Sequence, residues 1–324
     1  MRPDHKIIRA EGFSNIALIK YMGKSNVAAN VATNPSISYT LPHLKSIVQI
    51  SEAHKTSNDG ASHLDEWAPL IGPGLQSLVL SEKGQEKFLK HVKRLKDIWG
   101  VTTSLKIESA NNFPADCGIA SSASSFAALT LAMAQFFERK ESPVELARLS
   151  RLGSGSSCRS FFSPWCLWNG DQIEKISDLE KPLLHLVILI DEEKKEVSSS
   201  EAHIRVKSSP LFKDRDARVE ARTEKLLSAL KKNQWQKAFQ ISWDEFEDMH
   251  QLFETSDPAF SYRNSKSKEA LEDCKKVWAL EKDGPLVTMD AGPNIHLLFK
   301  ENQRSMFLKM KQFFSEKHPV IASE

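Results

Sequence analysis

The stretch NNFPADCGIASSASSFAAL, residues 111–129, restricts the fold more than any other part of this 324-residue chain. A polar lead-in gives way to small residues and serines, which run straight into an Ala-rich apolar segment. That pattern reads as a helix with a hydroxyl-rich first turn and a body able to lie close against a neighbour. Helix starts carry unpaired N–H groups and the positive end of the dipole, which favour an anion. Gly118 and Ala120 leave room for a phosphate to reach the backbone, and Ser121, Ser122 and Ser124 add hydroxyls. A capped helix packed closely by small residues explains the same letters equally well. No G-x4-GK[ST] spacing is present, so the segment is not a Walker A loop.

Around it, strand and helix signals alternate. SNIALIKYMGKS (14–25) reads as a strand ending in a loop, and NPSISYTL with KSIVQI (34–50) as a strand pair. Residues 51–75 are polar and turn-rich, suited to a surface connection. In 86–100, Phe88, Leu89, Val92, Leu95 and Ile98 recur at helical spacing before Gly100. TSLKIES (103–109) is a strand. Ser142, Pro143 and Glu145 form a capping box for the next helix. LLHLVILI (183–190) is a buried strand, far too short to span a bilayer. Residues 216–254 read as helical throughout, 284–299 as strand, tight turn and strand, and a helix closes the chain. The composition becomes helix-rich near 183–191, which divides the chain into domains 1–185 and 186–324.

The charge balance, 44 Lys+Arg against 42 Asp+Glu, gives no reason to expect nucleic acid or a membrane as partner. Any basic site must be local. Cys117, Cys158, Cys166 and Cys274 form no CxxC pair and read as reduced thiols. MRPDHKIIRAEG lacks an apolar h-region, so a cytoplasmic location is expected. No metal-ligating cluster is evident.

Four further segments carry candidate chemistry, each with a plainer reading beside it. RLGSGSSCRS (151–160) offers hydroxyls, glycines and Arg159, or is a Gly/Ser loop with an exposed arginine. KYMGK (20–24) and KKEVSSS (194–200) offer lysines and hydroxyls, or are solvated loops. In TMDAGPN (288–294), Asp290 orients or deprotonates a hydroxyl, or forms an Asx-turn. Together, anion-binding groups and one carboxylate suit phosphoryl transfer to a hydroxyl on an anionic substrate.

NIALIKYMGK, NPSISYTL, NNFPADCGIASSAS, RLGSGSSCRS, KKEVSSSE and MDAGPN, in this order, resemble the signatures of diphosphomevalonate decarboxylases, members of the GHMP kinase superfamily. The resemblance runs from about residue 12 to residue 299. It implies a two-domain α+β fold, with an N-terminal ribosomal-protein-S5-like domain and a C-terminal ferredoxin-like α/β sandwich. It implies phosphorylation of the 3-hydroxyl of mevalonate 5-diphosphate by ATP with Mg2+, then loss of phosphate and carbon dioxide to give isopentenyl diphosphate. Family members are commonly homodimers, so a homodimer is expected. Catalytic roles carry over to Asp290, Arg159, Ser156 and Lys195. The implied substrate site is Lys20, Tyr21, Met22, Gly23 and Lys24, then Ser154, Gly155, Ser156, Ser157, Cys158 and Arg159, with Ser200. The implied ATP site is Ser109, Gly118, Ile119, Ala120, Ser121, Ser122 and Ser124. The family usually has Trp at Met22, Arg or Thr at Ser200, and no acid at Asp116. A mevalonate 5-phosphate decarboxylase, a mevalonate 3-kinase and a non-catalytic nucleotide binder on the same fold are the alternatives.

Overall fold

A computed structural model describes residues 6–53, 65–77, 80–114, 121–190 and 196–323. The chain begins with strand β1 (Ile8–Ile19), the small hairpin β2 (Lys24–Asn26) and β3 (Val31–Ala32), and the long strand β4 (Ser36–Glu52). β1 and β4 pair antiparallel along almost their full length. The expected strand pair over 34–50 is therefore a single strand. Its two halves looked separate because the register jumps from Ser14↔Leu41 to Phe13↔Lys45. Pro42, His43 and Leu44 are the extra residues of that bulge, where proline costs no ladder bond.

The connection expected at 51–75 carries β5 (Glu66–Pro69), with β6 (Gln76–Ser77) just beyond it. Both pair with β7 (Leu105–Asn111), an interaction that local polarity cannot reveal. Between them runs helix α1 (Glu82–Trp99), capped by Ser81 and closed by Gly100 in the left-handed conformation. Phe88, Val92, Leu95 and Trp99 are buried, whereas Ile98, expected in the apolar stripe, is exposed. After β7 come α2 (Ser121–Phe136), α3 (Pro143–Arg151) with its capping box, and a 3-10 turn over Gly155–Phe161. Strands β8 (Trp165–Asn169) and β9 (Gln172–Lys175) complete a seven-stranded sheet.

α2 lies directly on β1 and β4. A Cβ on Gly12 would fall 2.2 Å from the Ser124 carbonyl oxygen and 2.6 Å from the Ala128 nitrogen. Ala123, Ala127, Ala128 and Ala132 are fully buried, so small residues let the helix meet the sheet at backbone distance. Two of its serines serve the same contact: Ser46 Oγ on β4 lies 2.7 Å from Ser124 Oγ and 3.0 Å from Ser125 Oγ.

The second half starts with β10 (Leu183–Ile188) and the helices α4 (Ser199–Arg205), α5 (Arg215–Lys231), α6 (Trp235–Glu254) and α7 (Ser265–Glu281). The stretch 216–254 is broken at Asn233, whose φ of 51° ends α5. Strands β11 (Leu286–Met289) and β12 (Ile295–Lys300), helix α8 (Arg304–Ser315) and a further strand β13 (Val320–Ala322) close the chain. The four-stranded sheet runs β11-β12-β10-β13. Ile16, Leu18 and Tyr39 of the first sheet share one buried cluster with Leu186, Leu297 and Phe314 of the second half. That common core fixes the two halves against each other. Among the described residues, no helix is long and apolar enough to cross a membrane.

Candidate active site

A cavity of about 450 Å³ opens where the two halves meet. The end of β1, the β2–β3 hairpin, the first turn of α2, the loop after α3, the start of α4 and the β11–β12 turn all contribute to its wall. Most expected site residues that lie in the described segments meet here: Lys20, Tyr21, Met22, Lys24, Ser121, Ser122, Ser154, Gly155, Ser156, Arg159, Ser200 and Asp290 line it.

Asp290 directly follows β11, and its carbonyl accepts from the Gly292 N–H in the tight turn there. Lys20 Nζ donates to Asp290 Oδ1 at 2.7 Å. Burial pushes the Asp290 carboxyl up, but Lys20, His296 and Arg159 outweigh it and hold the group below the usual range. Burial lowers Lys20, opposed by Asp290. The pair is therefore a fixed carboxylate beside a buried ammonium.

Lys20 is held from behind by the second half. Its N–H donates to Glu245 Oε1 at 3.2 Å, and its carbonyl accepts from Asn34 Nδ2 at 2.8 Å and Arg215 Nη2 at 3.4 Å. Glu245 pairs with Arg215 and Arg222 at 2.8 Å, and Asp248 pairs with Arg215, Arg218 and Arg222. Sequence reasoning missed this clamp because its members are distant in the chain, and a helical reading of 216–254 does not pair any of them with Lys20.

Arg159 is 4 % exposed and is gripped by neutral groups. Its Nε donates to Asn15 Oδ1 at 3.0 Å and its Nη1 to Ser36 Oγ at 3.1 Å. Asn15 in turn donates to Ser160 Oγ and the Ser156 carbonyl, which fixes its amide. The guanidinium is oriented without losing its charge, so it can receive a carboxylate. Asn15 and Ser36 were detectable only as isolated polar letters within strands.

Gly155 brings the loop onto Tyr21, where a Cβ would lie 2.7 Å from the ring. The Tyr21 hydroxyl is buried with no partner among the described residues, and burial pushes the phenol well up. Lys24 Nζ donates to Asn30 Oδ1 at 2.7 Å; burial, then the charge of Lys87, lowers its pKa. Lys87 of α1 and His203 of α4 also line the cavity, and neither was expected. Lys87 was hidden among the polar positions of the 86–100 helix.

The remaining expected residues in the described segments do not line the cavity, and one residue that does has a second role. Met22 reaches the cavity and also packs with Val197, Ala202 and Met249. Gly23 presents its N–H to His203. Ser157 bonds Ser150 and the Ser154 carbonyl, and Cys158 donates to the Gly155 carbonyl with its thiol pushed up to about 12 by burial. Ser109 accepts from Trp67 Nε1 of the neighbouring strand β5, and Ser124 belongs to the network under α2. Gly118, Ile119, Ala120, Lys195 and Asp116 lie outside the described residues.

The groups present suit a nucleotide phosphate with a hard cation. Ser121 and Ser122 put hydroxyl oxygens at the positive end of a 16-residue helix with no acid in its first turn. Magnesium takes few protein ligands and keeps phosphate and water oxygens, so hydroxyls at this place are compatible with it.

A diphosphomevalonate decarboxylase-like N-terminal domain model matches residues 12–178, and a mevalonate 5-diphosphate decarboxylase C-terminal domain model matches 185–323. A diphosphomevalonate decarboxylase of Gibberella zeae is 30% identical, over 94% of this chain and 84% of its own length. The crystal structure of a mevalonate diphosphate decarboxylase from Legionella pneumophila is 43% identical, with a TM-score of 0.87 over 98% of this chain and 100% of that one. The structure of MDDEF in complex with MVAPP, AMPPCP and magnesium is 28% identical, with a TM-score of 0.84 over 98% and 96%. The two-domain α+β GHMP kinase fold is common to them. With both halves matched and most of the described signature residues lining one cavity, the chain belongs to the diphosphomevalonate decarboxylase family.

Proposed function

We propose that this protein catalyses the ATP-dependent decarboxylation of (R)-5-diphosphomevalonate to isopentenyl diphosphate, a step of the mevalonate route to isoprenoids. The observation that carries this reading is the cavity's charge pattern. Lys20 is neutralised by Asp290, whereas Lys24, Lys87 and Arg159 have no carboxylate partner among the described residues. A ligand with a polyanionic end and a separate carboxylate complements that pattern.

ATP with Mg2+, when bound, supplies the phosphoryl group that makes the tertiary 3-hydroxyl a leaving group. This chain's residues do the rest. Asp290, ionised and pinned by Lys20, accepts the 3-hydroxyl hydrogen bond and orients that hindered nucleophile. The same carboxylate stabilises positive charge developing at the tertiary carbon. Arg159 holds the substrate carboxylate while Asn15 and Ser36 fix its plane. Ser154 and Ser156 complete that end. Tyr21, Lys24, Lys87 and Ser200 bind the diphosphate. Ser121 and Ser122 face the nucleotide phosphates, supported by Ser109 and Ser124; Gly118, Ile119, Ala120 and Lys195 complete that part of the reading.

We further propose domains 1–185 and 186–324, a division that falls within β10 (Leu183–Ile188), where the second sheet begins, and a cytoplasmic homodimer. Cys158, Cys166 and Cys274 are buried free thiols, as a reducing compartment favours.

The test measures ADP release and carbon dioxide release with mevalonate, its 5-phosphate and its 5-diphosphate. Both products, with the diphosphate preferred, support the reading. ADP without carbon dioxide identifies a kinase, activity only on the monophosphate shifts the substrate, and nucleotide binding without turnover identifies a binder.

A further inference from the structure

His203 sits on α4, 8 % exposed, and lines the cavity beside Lys24 and Arg159. The Gly23 backbone N–H donates to its Nδ1 at 3.0 Å. A backbone N–H can only donate, so Nδ1 carries no proton and the neutral ring must carry its hydrogen on Nε2. Among the described residues Nε2 has no hydrogen-bond partner, and the residue lines the cavity. The Tyr21 ring packs on the imidazole at 4.2 Å between centroids and 37° between planes, which fixes the ring orientation. Burial, then the charges of Lys24, Arg159 and Arg215, hold His203 down to about 3, so the tautomer set by Gly23 persists at neutral pH.

We propose that His203 donates its Nε2–H to the substrate's phosphate end and is a binding residue of this site. The proposal rests on the diphosphate reading of the cavity. A neutral donor has a specific use there. Lys24, Lys87 and Arg159 already repel one another, so a further cation would cost more than a directional N–H. The ring also transmits position: whatever engages Nε2 is tied through Nδ1 to Gly23, and so to the turn that carries Tyr21 and Lys24.

The test uses the full chain. Long-range 1H–15N spectra of the histidines are recorded as inorganic diphosphate is added. Nδ1 should show an unprotonated shift throughout, and the Nε2 resonance should move on saturation. In steady state, His203→Leu should raise KM for diphosphomevalonate about 10-fold, with kcat within about 3-fold, as loss of one hydrogen bond to an anion predicts. His203→Gln, which keeps an acceptor for Gly23 and a donor for the ligand, should recover most of it. An Nε2 signal unmoved by saturating diphosphate overturns the proposal, as does an unchanged KM in His203→Leu. If His203→Leu does not fold, the wild-type spectrum and His203→Gln decide. Wild-type protein inactive on diphosphomevalonate would refute the proposed function instead, and the diphosphate titration would still judge His203.

Discussion

Lys20 and Lys24 stand four residues apart on one turn, and the fold treats them in opposite ways. Lys20 is 2 % exposed, ion-paired with Asp290 and clamped at both backbone atoms by residues from α5, α6 and Asn34. Lys24 rises on a short hairpin, its ammonium held by one neutral carbonyl and facing another lysine. A charge that must be placed to a fraction of an ångström is neutralised and locked. A charge that must attract a mobile anion is left uncompensated, at the expense of repulsion from Lys87. The first arrangement suits the reacting centre and the second suits binding, so substitutions should separate kcat from KM along this turn.

Breaking the locked side should have the largest effect. Lys20→Met leaves the partly exposed Asp290 without its partner. Removing one member of a fully buried pair costs about 3–5 kcal/mol, an upper bound here because solvent reaches Asp290. A fall of up to that size in urea stability, with kcat lowered by at least about 100-fold, is the expected result; wild-type kcat would mean the pair is only a crossing of two side chains. Glu245→Gln tests the clamp one step further back. It should lower kcat roughly 10-fold through the misplaced Lys20 while KM stays near wild type. A rise in KM with unchanged kcat would reverse the roles drawn for the two lysines. On the loose side, Lys24→Met should raise KM about 10–100-fold, matching a charge-assisted bond of roughly 1.5–3 kcal/mol. The wild-type KM should rise with ionic strength more steeply than that of Lys24→Met.

The smallest effect concerns stability beneath the locked side. His43 Nε2, His185 and His296 Nδ1 form a hydrogen-bonded chain with both contacts at 3.0 Å. Burial holds His43 and His296 down to about 4, against an ordinary value of 6.5, and lowers His185 well below it. The unfolded chain therefore takes up protons first as pH falls below 6.5. Stability should drop as pH falls from 6.5 through about 4, with His185 extending the fall further. A thermal scan across that range checks it, and His43→Gln should flatten the slope.

The sequence exposed most of what depends on local pattern. The helix over 86–100, the capping box at Ser142 and the strand–turn–strand around Asp290 formed as expected, because periodicity and caps act over a few residues. Long-range pairing was not legible: β4 read as two strands, and β5 as a connection. The same division holds in the site. Lys20, Arg159 and Asp290 announced themselves through motifs, whereas Asn15, Glu245, Lys87 and His203 matter only for where the fold puts them. For residues 111–129, the close-packing reading is the one the fold displays, and the anion-site reading stays a proposal. Ser121 and Ser122 face the cavity, while Ser124, Ser125 and the alanines pack α2 onto the sheet.

The central claim is that Asp290 is the group on which carbon dioxide release depends. Asp290→Asn keeps the shape and removes the charge. Carbon dioxide release from diphosphomevalonate and ATP should fall by at least about 1,000-fold, while the affinity for a non-hydrolysable ATP analogue stays within about 2-fold, because the role proposed for Asp290 is toward the 3-hydroxyl and not the nucleotide. Near-wild-type carbon dioxide release from that variant would contradict the account.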